Sequence, residues 1–167
     1  MLYMSRIGLM LGVVVACVGC DQVTKAMARA TLRSTAPMPL FYEIVTLSYA
    51  ENPGGFLSFG AHFSETVRFV MFTVAVGCAL LVGGMALVRL HGLRTLQRLS
   101  LALSLGGGLG NLIDRLGNQG KVIDFLSLGF GPFQTGVFNV ADVAVTVGVI
   151  TFVLSTCWPH RARPAAV

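Results

Sequence analysis

Phe69 to Val88, FVMFTVAVGCALLVGGMALV, is a run of 20 residues without a charge, closed by Arg68 on one side and Arg89 on the other. At about 1.5 Å of rise per residue, a helix of this length covers about 30 Å, the thickness of a bilayer's hydrocarbon core. Three further apolar stretches flank it. Ile7 to Cys20 follows Arg6 and, extended through Val23, is long enough to cross. Leu99 to Ile113 lies between Arg98 and Asp114, and Val143 to Trp158 begins beside Asp142. The last two are short, which a span tolerates when its polar ends enter the interface or a shared wet cavity. Hydrophobic residues make up 54% of the 167-residue chain and charged residues 11%, too few charges to clothe a water-soluble domain or to keep the chain disordered. The expected fold is membrane α-helical: one integral membrane domain over 1–167, with four transmembrane helices at about 6–23, 68–89, 98–114 and 139–158.

An even number of spans puts both ends of the chain on one face. Arg6, Arg89, Arg94, Arg98, Arg161 and Arg163 then share that face, and Lys25, Arg29, Arg33, Arg68, Arg115 and Lys121 the other. The count is a tie. The short, arginine-dense loop from Arg89 to Arg98 breaks it toward cytoplasmic termini, because short loops weigh most in the positive-inside rule. All seven acids, Asp21, Glu43, Glu51, Glu65, Asp114, Asp124 and Asp142, fall on the opposite face, so chemistry is expected there. The basic residues form no stripe interleaved with stacking aromatics, which argues against nucleic acid as a partner.

The segment between the first two spans is more than a linker. Lys25, Arg29 and Arg33 sit at i, i+4 and i+8, the pattern of a helix lying along the interface, before Pro37 and Pro39 end helical order. Phe41 to Tyr49 alternates in part and is rich in β-branched and aromatic residues, a strand signal, and Asn52-Pro53-Gly54-Gly55 is a turn. Phe56, Leu57, Phe59 and Phe63 then return an apolar surface. These features predict a small β-rich extracytoplasmic platform in the first loop, apolar enough to rest on lipid or hold an acyl chain.

Asp142 opens the fourth span, with Asn139 three residues before it on the same helix face, and a carboxylate there either caps the helix or faces a cavity. Asp124 lies in the apolar segment Val122-Ile123-Asp124-Phe125. Two carboxylates brought together in a partly dry site do not both ionise cheaply; one keeps a proton and the other serves as base. Asp114-Arg115 and the i, i+4 pair Asp21/Lys25 read equally well as structural ion pairs, and Asn52 as a turn residue. Gly106-Gly107-Gly108-Leu109-Gly110 lacks the Lys-Ser/Thr of a phosphate loop; Gly106 and Gly110, like Gly8 and Gly12, suit close helix approach. Cys17, Cys20, Cys78 and Cys157 all lie in apolar runs and read as small buried thiols, although Cys17 to Cys20 superficially resembles a lipoprotein signal. None of His62, His91 and His160 lies near a candidate serine nucleophile, and no metal-ligand motif is present.

Together these segments resemble the lipoprotein signal peptidase (signal peptidase II) family. Asp21-Gln22-Val23-Thr24-Lys25 is similar to its D-x-x-S/T-K segment, and Gly106/Gly107 to Arg115 resembles G-G-x-x-G-N-x-x-D-R, with Asn111, Asp114 and Arg115 in register. Val122-Ile123-Asp124-Phe125 is similar to V-x-D-F, and Phe138-Asn139-Val140-Ala141-Asp142 to F-N-x-A-D. One stretch departs from the family: N-T-G-A-A-F is usual where this chain has Asn52-Pro53-Gly54-Gly55-Phe56-Leu57, with its aromatic one residue early. The resemblance implies that Asp124 and Asp142 are catalytic aspartates and that Asn52, Asn111, Arg115, Asn139, Asp21, Lys25 and Asp114 shape the site. It further implies an aspartic endopeptidase of the bacterial inner membrane acting near the periplasmic face, on a prolipoprotein whose cysteine carries diacylglycerol. The partners are then that substrate and membrane lipid; no cofactor and no metal are implied, and the oligomeric state is left open. The competing expectations are a catalytically inactive paralogue that binds lipoprotein signals and a small transporter.

Overall fold

The computed structural model describes residues 2–42, 44–90, 92–130 and 133–157, with side chains from Ile7 onward. Helix α1 (Leu2–Leu32) leads into strands β1 (Met38–Leu40) and β2 (Val45–Asn52), followed by a single 3-10 turn at Phe56–Ser58. One continuous helical rod then runs from Glu65 to Arg89 as α2 (Glu65–Arg68), a π-helical stretch (Phe69–Ala75) and α3 (Val76–Arg89). Helix α4 (Thr95–Gly117), strands β3 (Val122–Phe130) and β4 (Phe133–Gln134), and helix α5 (Val140–Cys157) complete the order.

Among the described residues, Ile7–Leu32, Glu65–Arg89 and Val140–Cys157 are long and apolar enough to cross a membrane. Helix α4 carries Arg98, Asp114 and Arg115 and is not among them. It is instead the central helix, packed against α1, α3 and α5. Its glycines divide these neighbours. A Cβ on Gly106 would lie 2.7 Å from Cys17 Cβ on α1, one on Gly108 would lie 2.6 Å from Leu80 on α3, and one on Gly107 would strike the Ala141 carbonyl of α5. Hydrogen alone at these positions lets three helices close on one. Gly8 and Gly12 have nothing within 4 Å, so the close approach expected there is absent.

Three further sequence expectations change. The first is the interfacial helix: Lys25 and Arg29 belong to α1, which continues unbroken to Leu32, and Lys25 is only 1% exposed. The second is the platform, which draws only β1 and β2 from the first loop, while β3 and β4 come from the segment before α5. The four strands form one antiparallel arrangement in the order β1-β2-β3-β4. Long-range pairing of this kind leaves no trace in the periodicity of a single segment. The third is the thiols: of the four, only Cys17 is buried, and Cys20, Cys78 and Cys157 are exposed on the protein surface. An apolar run facing lipid looks the same in sequence as one facing a protein core. Arg6, Glu43, His91, Trp158, His160, Arg161 and Arg163, and with them the outer ends of the first and fourth predicted spans, lie outside the described side chains.

One irregularity in the sheet decides the site. Val45, Thr46 and Leu47 pair with Leu128, Ser127 and Leu126, whereas Ala50, Glu51 and Asn52 pair with Asp124, Ile123 and Val122. The register slips by one residue between Leu47 and Ala50, a bulge on β2. Side chains alternate with period two, so a one-residue slip exchanges the faces of every residue beyond it. The slip puts Asn52 on the face of Asp124, diagonally across the strand pair; without it Asn52 would point away.

Candidate active site

Four elements meet at the N-terminus of α5. Asn139 precedes its first turn, and the Asn139 side-chain Oδ1 accepts a hydrogen bond from the Asp142 N–H (2.9 Å). In return, Asp142 Oδ2 accepts one from the Asn139 N–H (3.2 Å). This reciprocal pair is a capping box with aspartate at the third helical position, and it fixes both side chains. Asp21 of α1 accepts from the Ala141 N–H (3.0 Å), satisfying another of the helix's open donors.

The same Asn139 reaches the other carboxylate. Its Nδ2 donates to Asp124 Oδ1 at 2.7 Å, and Asn52 Nδ2 donates to Asp124 Oδ2 at 2.9 Å. Asn111 of α4 donates from Nδ2 to Asp142 Oδ1 at 2.8 Å. Asp124 and Asp142 are therefore joined through a single asparagine. An amide can in principle be turned over, but none of these three is free to turn. Asn139 Oδ1 is held by a backbone N–H, Asn52 Oδ1 by the Gly54 N–H (2.8 Å), and Asn111 Oδ1 by the Lys25 ammonium (2.8 Å). Each N–H group is thereby aimed at a carboxylate. Asn52 is both the turn residue and the site residue.

Behind the asparagines lies a dry ion cluster. Lys25 Nζ donates to Asp21 Oδ2 at 2.7 Å and to Asp114 Oδ2 at 3.0 Å, which with Asn111 uses all three of its protons. Asp114 also accepts from the Ile123 N–H (3.0 Å), tying the start of β3 to α4. The Asp21/Lys25 pair is thus present but buried rather than on a helix surface, and Asp114 pairs with Lys25 rather than with its neighbour Arg115. Arg115 instead donates from Nη2 to the Gly54 carbonyl (2.8 Å) and lies 5.7 Å from the centre of the Phe72 ring.

Two members were not singled out by sequence. Gln22 donates to the Gly110 carbonyl (3.2 Å) and to Asp114 Oδ1 (2.9 Å); a primary amide in an otherwise apolar helix, next to Asp21, was the available signal. Phe72, on the π-helical stretch, packs under Gly55 and Gly60 as well as Arg115, and nothing in its sequence context marks it.

A cavity of about 770 Å³ opens between α3, α4 and α5. Phe59, Phe72, Leu80, Val145 and Val149 contribute apolar walls. On α4 its lining steps through Ser104, Gly108, Asn111 and Arg115, a length of roughly 16 Å at the helical rise. Asn111 and Arg115 at one end of that stripe lie beside Asp142 at the start of α5. Asp142 borders the cavity directly. Asp124 is set back from the wall and only 1% exposed. Burial lifts the Asp124 carboxyl from the ordinary 3.8 to about 6, aided by the charge on Asp142 and opposed by the N–H groups of Asn52 and Asn139. Among the described residues no cluster of His, Cys, Asp and Glu is arranged to hold a metal ion.

Gly107→Ala tests how tightly the two halves are held. Its Cβ would meet the Ala141 carbonyl and the Val145 backbone, which cannot rotate away, so α5 must retreat and carry Asp142 with it. Overpacking of this kind costs about 1–3 kcal/mol. The expected result is a lower unfolding temperature in detergent together with at least a tenfold loss of activity.

Lipid-length apolar helices with buried carboxylates gathered at one helix end define a membrane protein with a polar site set into its apolar frame. The chain belongs to the signal peptidase II family: the family model described as Signal peptidase (SPase) II matches residues 13–158. Similar proteins include the lipoprotein signal peptidase of Moorella thermoacetica, 43% identical over 138 residues and 83% of each chain. That of Shigella boydii serotype 4 is 36% identical over 126 residues, 75% of each chain. Two solved bacterial membrane enzymes, obtained by the in meso method at 2.3 and 1.9 Å resolution, superpose with a TM-score of 0.77 each. They are 24% and 23% identical, covering 90% and 92% of this chain and 88% and 96% of theirs, and at that identity they bear on the fold alone.

Proposed function

We propose that this protein is a membrane-embedded aspartic endopeptidase that removes the signal peptide from prolipoproteins, cutting just before a cysteine modified with diacylglycerol. The observation that carries this reading is the sharing of Asn139 by Asp124 and Asp142 at the polar end of an apolar cavity. Such a cavity suits an apolar signal helix, and such a pair suits activation of water against an amide. The family favours a peptidase over a transporter or an inactive paralogue.

Asp142, open to the cavity and placed in the first turn of a helix, is the ionised base; the nearly dry Asp124 carries the proton. Asp142 takes a proton from water as its oxygen attacks the scissile carbonyl carbon, and Asp124 gives its proton to the carbonyl oxygen. The resulting gem-diol collapses when Asp142 protonates the leaving nitrogen and Asp124 recovers a proton from a diol hydroxyl. The C–N bond breaks, and no covalent intermediate forms. Asn52, Asn111 and Asn139 hold the two carboxylates in place; Lys25 holds Asn111; Asp21 and Asp114 hold Lys25 and tie the starts of α5 and β3 to it; Arg115 holds the loop at Gly54.

Helix α4, shielded by α1, α3 and α5, is the remaining span, third in chain order, making residues 1–167 one four-helix membrane domain. The termini are cytoplasmic, and the dyad lies near the periplasmic face of the bacterial inner membrane. The test is cleavage of a diacylglyceryl prolipoprotein by purified protein, read as a gel shift beside the same prolipoprotein without lipid. Cleavage of the lipidated form supports the reading; a well-folded protein that cleaves neither overturns it. The pH profile checks the roles. A carboxyl raised to about 6 loses its proton as pH climbs through that value, so kcat/KM is expected to decline on the alkaline side, at an apparent value belonging to the pair. A rate that keeps rising with pH would remove Asp124 as the acid.

A further inference from the structure

Among the helices, α3 packs chiefly on α4, and a cavity flanks it on each side. The one beside Asp142 separates α3 from α5. The other, about 810 Å³, separates α3 from α1. Leu11 and Val14 of α1 form one wall, and Leu105, Leu109 and Leu112 of α4, at i, i+4 and i+7, form the floor. Opposite, the α3 wall runs from Gly77 to Arg89, roughly 18 Å at the helical rise, close to the depth of one leaflet of a hydrocarbon core about 30 Å thick. Gly84 lies within that wall, and a Cβ there would meet nothing within 4 Å, so its missing side chain leaves space in the groove. Among the described residues, the lining has a single charge, Arg89, at its end. Arg98 nearby spends its guanidinium on the Leu87, Leu90 and Leu93 carbonyls, which closes the end of α3. Arg89 is exposed, and the sequence offers it no acid: residues 1–20, 66–113 and 143–167 contain neither Asp nor Glu. All seven carboxylates belong to the other end of the bundle.

We propose that this groove holds one acyl chain of an anionic phospholipid, from the leaflet opposite the dyad, with the lipid's phosphate on Arg89. Charge complementarity identifies the occupant. A lipid phosphate is the anion found where an apolar wall of one leaflet's depth ends, and a guanidinium matches its oxygens two at a time. A second copy of the chain or a signal helix fits less well, because a spanning helix needs the full thickness of about 30 Å and the groove offers about half. The consequence reaches the other cavity. Leu80 lines both, and Gly108 lets it close against α4. A chain seated in the groove supports α3 on its α1 side, and with it the wall that α3 lends to the cavity beside Asp142. This rests on the membrane-protein reading and not on the peptidase chemistry.

The probe is phosphatidylglycerol, added to delipidated protein in detergent, with zwitterionic phosphatidylcholine as its control. Phosphatidylglycerol is expected to raise the unfolding temperature by at least about 4 °C, as a ligand well above its Kd does when it binds only the folded state. Phosphatidylcholine should give less than half of that rise. Gly84→Leu fills the groove without meeting a protein atom and should abolish the rise. Gly12→Leu, equally unobstructed on α1 but outside the lining, should keep it. Arg89→Gln should leave the two lipids equivalent. In vesicles, phosphatidylglycerol with a diazirine near its chain end should label the α4 floor at Leu105 to Leu112 above the exposed Val147 and Val153 of α5. Equal rises for the parent and Gly84→Leu, equal rises for the two lipids, or labelling spread evenly over α4 and α5 would each overturn the proposal. So would a dimer that shields the α4 floor from the label, which would make a second copy the occupant. The labelling uses the parent protein, so a variant that fails to fold leaves the test intact. Neither readout needs cleavage, so a failure here is distinguishable from a failure of the proposed function.

Discussion

Asp142→Asn and Asp124→Asn are each expected to lower turnover by about a thousandfold or more while the substrate still binds; general acid–base groups contribute about 10²–10⁴-fold each, and the proposed pair acts as a unit. Asparagine is nearly isosteric with aspartate, but here it is not a silent replacement. Asp142 accepts from Asn111 Nδ2 on one oxygen and from the Asn139 N–H on the other. Asp124 accepts from Asn139 Nδ2 and Asn52 Nδ2. All four donors are locked, so whichever way the new amide is turned, its NH₂ faces another N–H. Each variant therefore loses its acid or base function and one hydrogen bond at the same time. The measurement is the gel shift with purified variants, beside binding of a lipidated signal peptide, expected within about threefold of the parent protein for a site that loses chemistry and keeps its apolar cavity. Either variant retaining a tenth of the parent's turnover would rule out the dyad.

The residues of this site were legible in sequence because they sit where polar groups are expensive. A carboxylate at the edge of an apolar run needs a reason, and the motifs around Asp21, Asp114, Asp124 and Asp142 supplied a common one. The contacts among them were not legible. Asp124 and Asn52 are 72 residues apart, and their meeting depends on a one-residue bulge in β2 that leaves no mark in composition. The amide orientations follow from what stands behind each asparagine, which is a tertiary fact. Burial was the weakest inference: Lys25 was expected at the interface and is in the core, while Cys20, Cys78 and Cys157 were expected in the core and are outside. In a membrane protein the apolar solvent removes the contrast by which sequence ordinarily separates inside from outside.

The departure at Asn52-Pro53-Gly54-Gly55-Phe56 has a structural account. Asn52 keeps its place because its Oδ1 closes the turn on the Gly54 N–H, a bond that Pro53 does not interrupt. Gly54 and Gly55 have no room for a side chain: a Cβ on Gly54 would lie 2.5 Å from the Phe59 carbonyl, and one on Gly55 would lie 2.9 Å from the Phe72 ring. Phe56 is then exposed at the cavity mouth rather than packed beneath the turn. The altered spacing therefore changes what the substrate meets at the entrance and leaves the hydrogen bond to Asp124 intact.

Lys25→Met is expected to be the most destabilising single change outside the two carboxylates. The ammonium is 1% exposed and is the common partner of Asp21, Asp114 and Asn111. Methionine fills nearly the same volume, so packing is not the issue; two carboxylates are left facing each other without a cation between them. Removing one partner of a buried pair costs about 3–5 kcal/mol, which for a chain of this size corresponds to an unfolding temperature lower by roughly 10 °C. Thermal unfolding in detergent measures it. Asp114→Asn added to Lys25→Met should recover part of the loss, because it removes the repulsion that the first change exposed. Turnover should not recover with it. Without the ammonium, Asn111 Oδ1 keeps only the longer bond from Asn139 Nδ2 (3.1 Å), so its N–H is held less firmly toward Asp142. Cleavage by the double variant at a temperature where it is fully folded would therefore remain depressed. If it returned to the parent's rate, Lys25 would be a structural cation only, with no part in orienting the groups around Asp142.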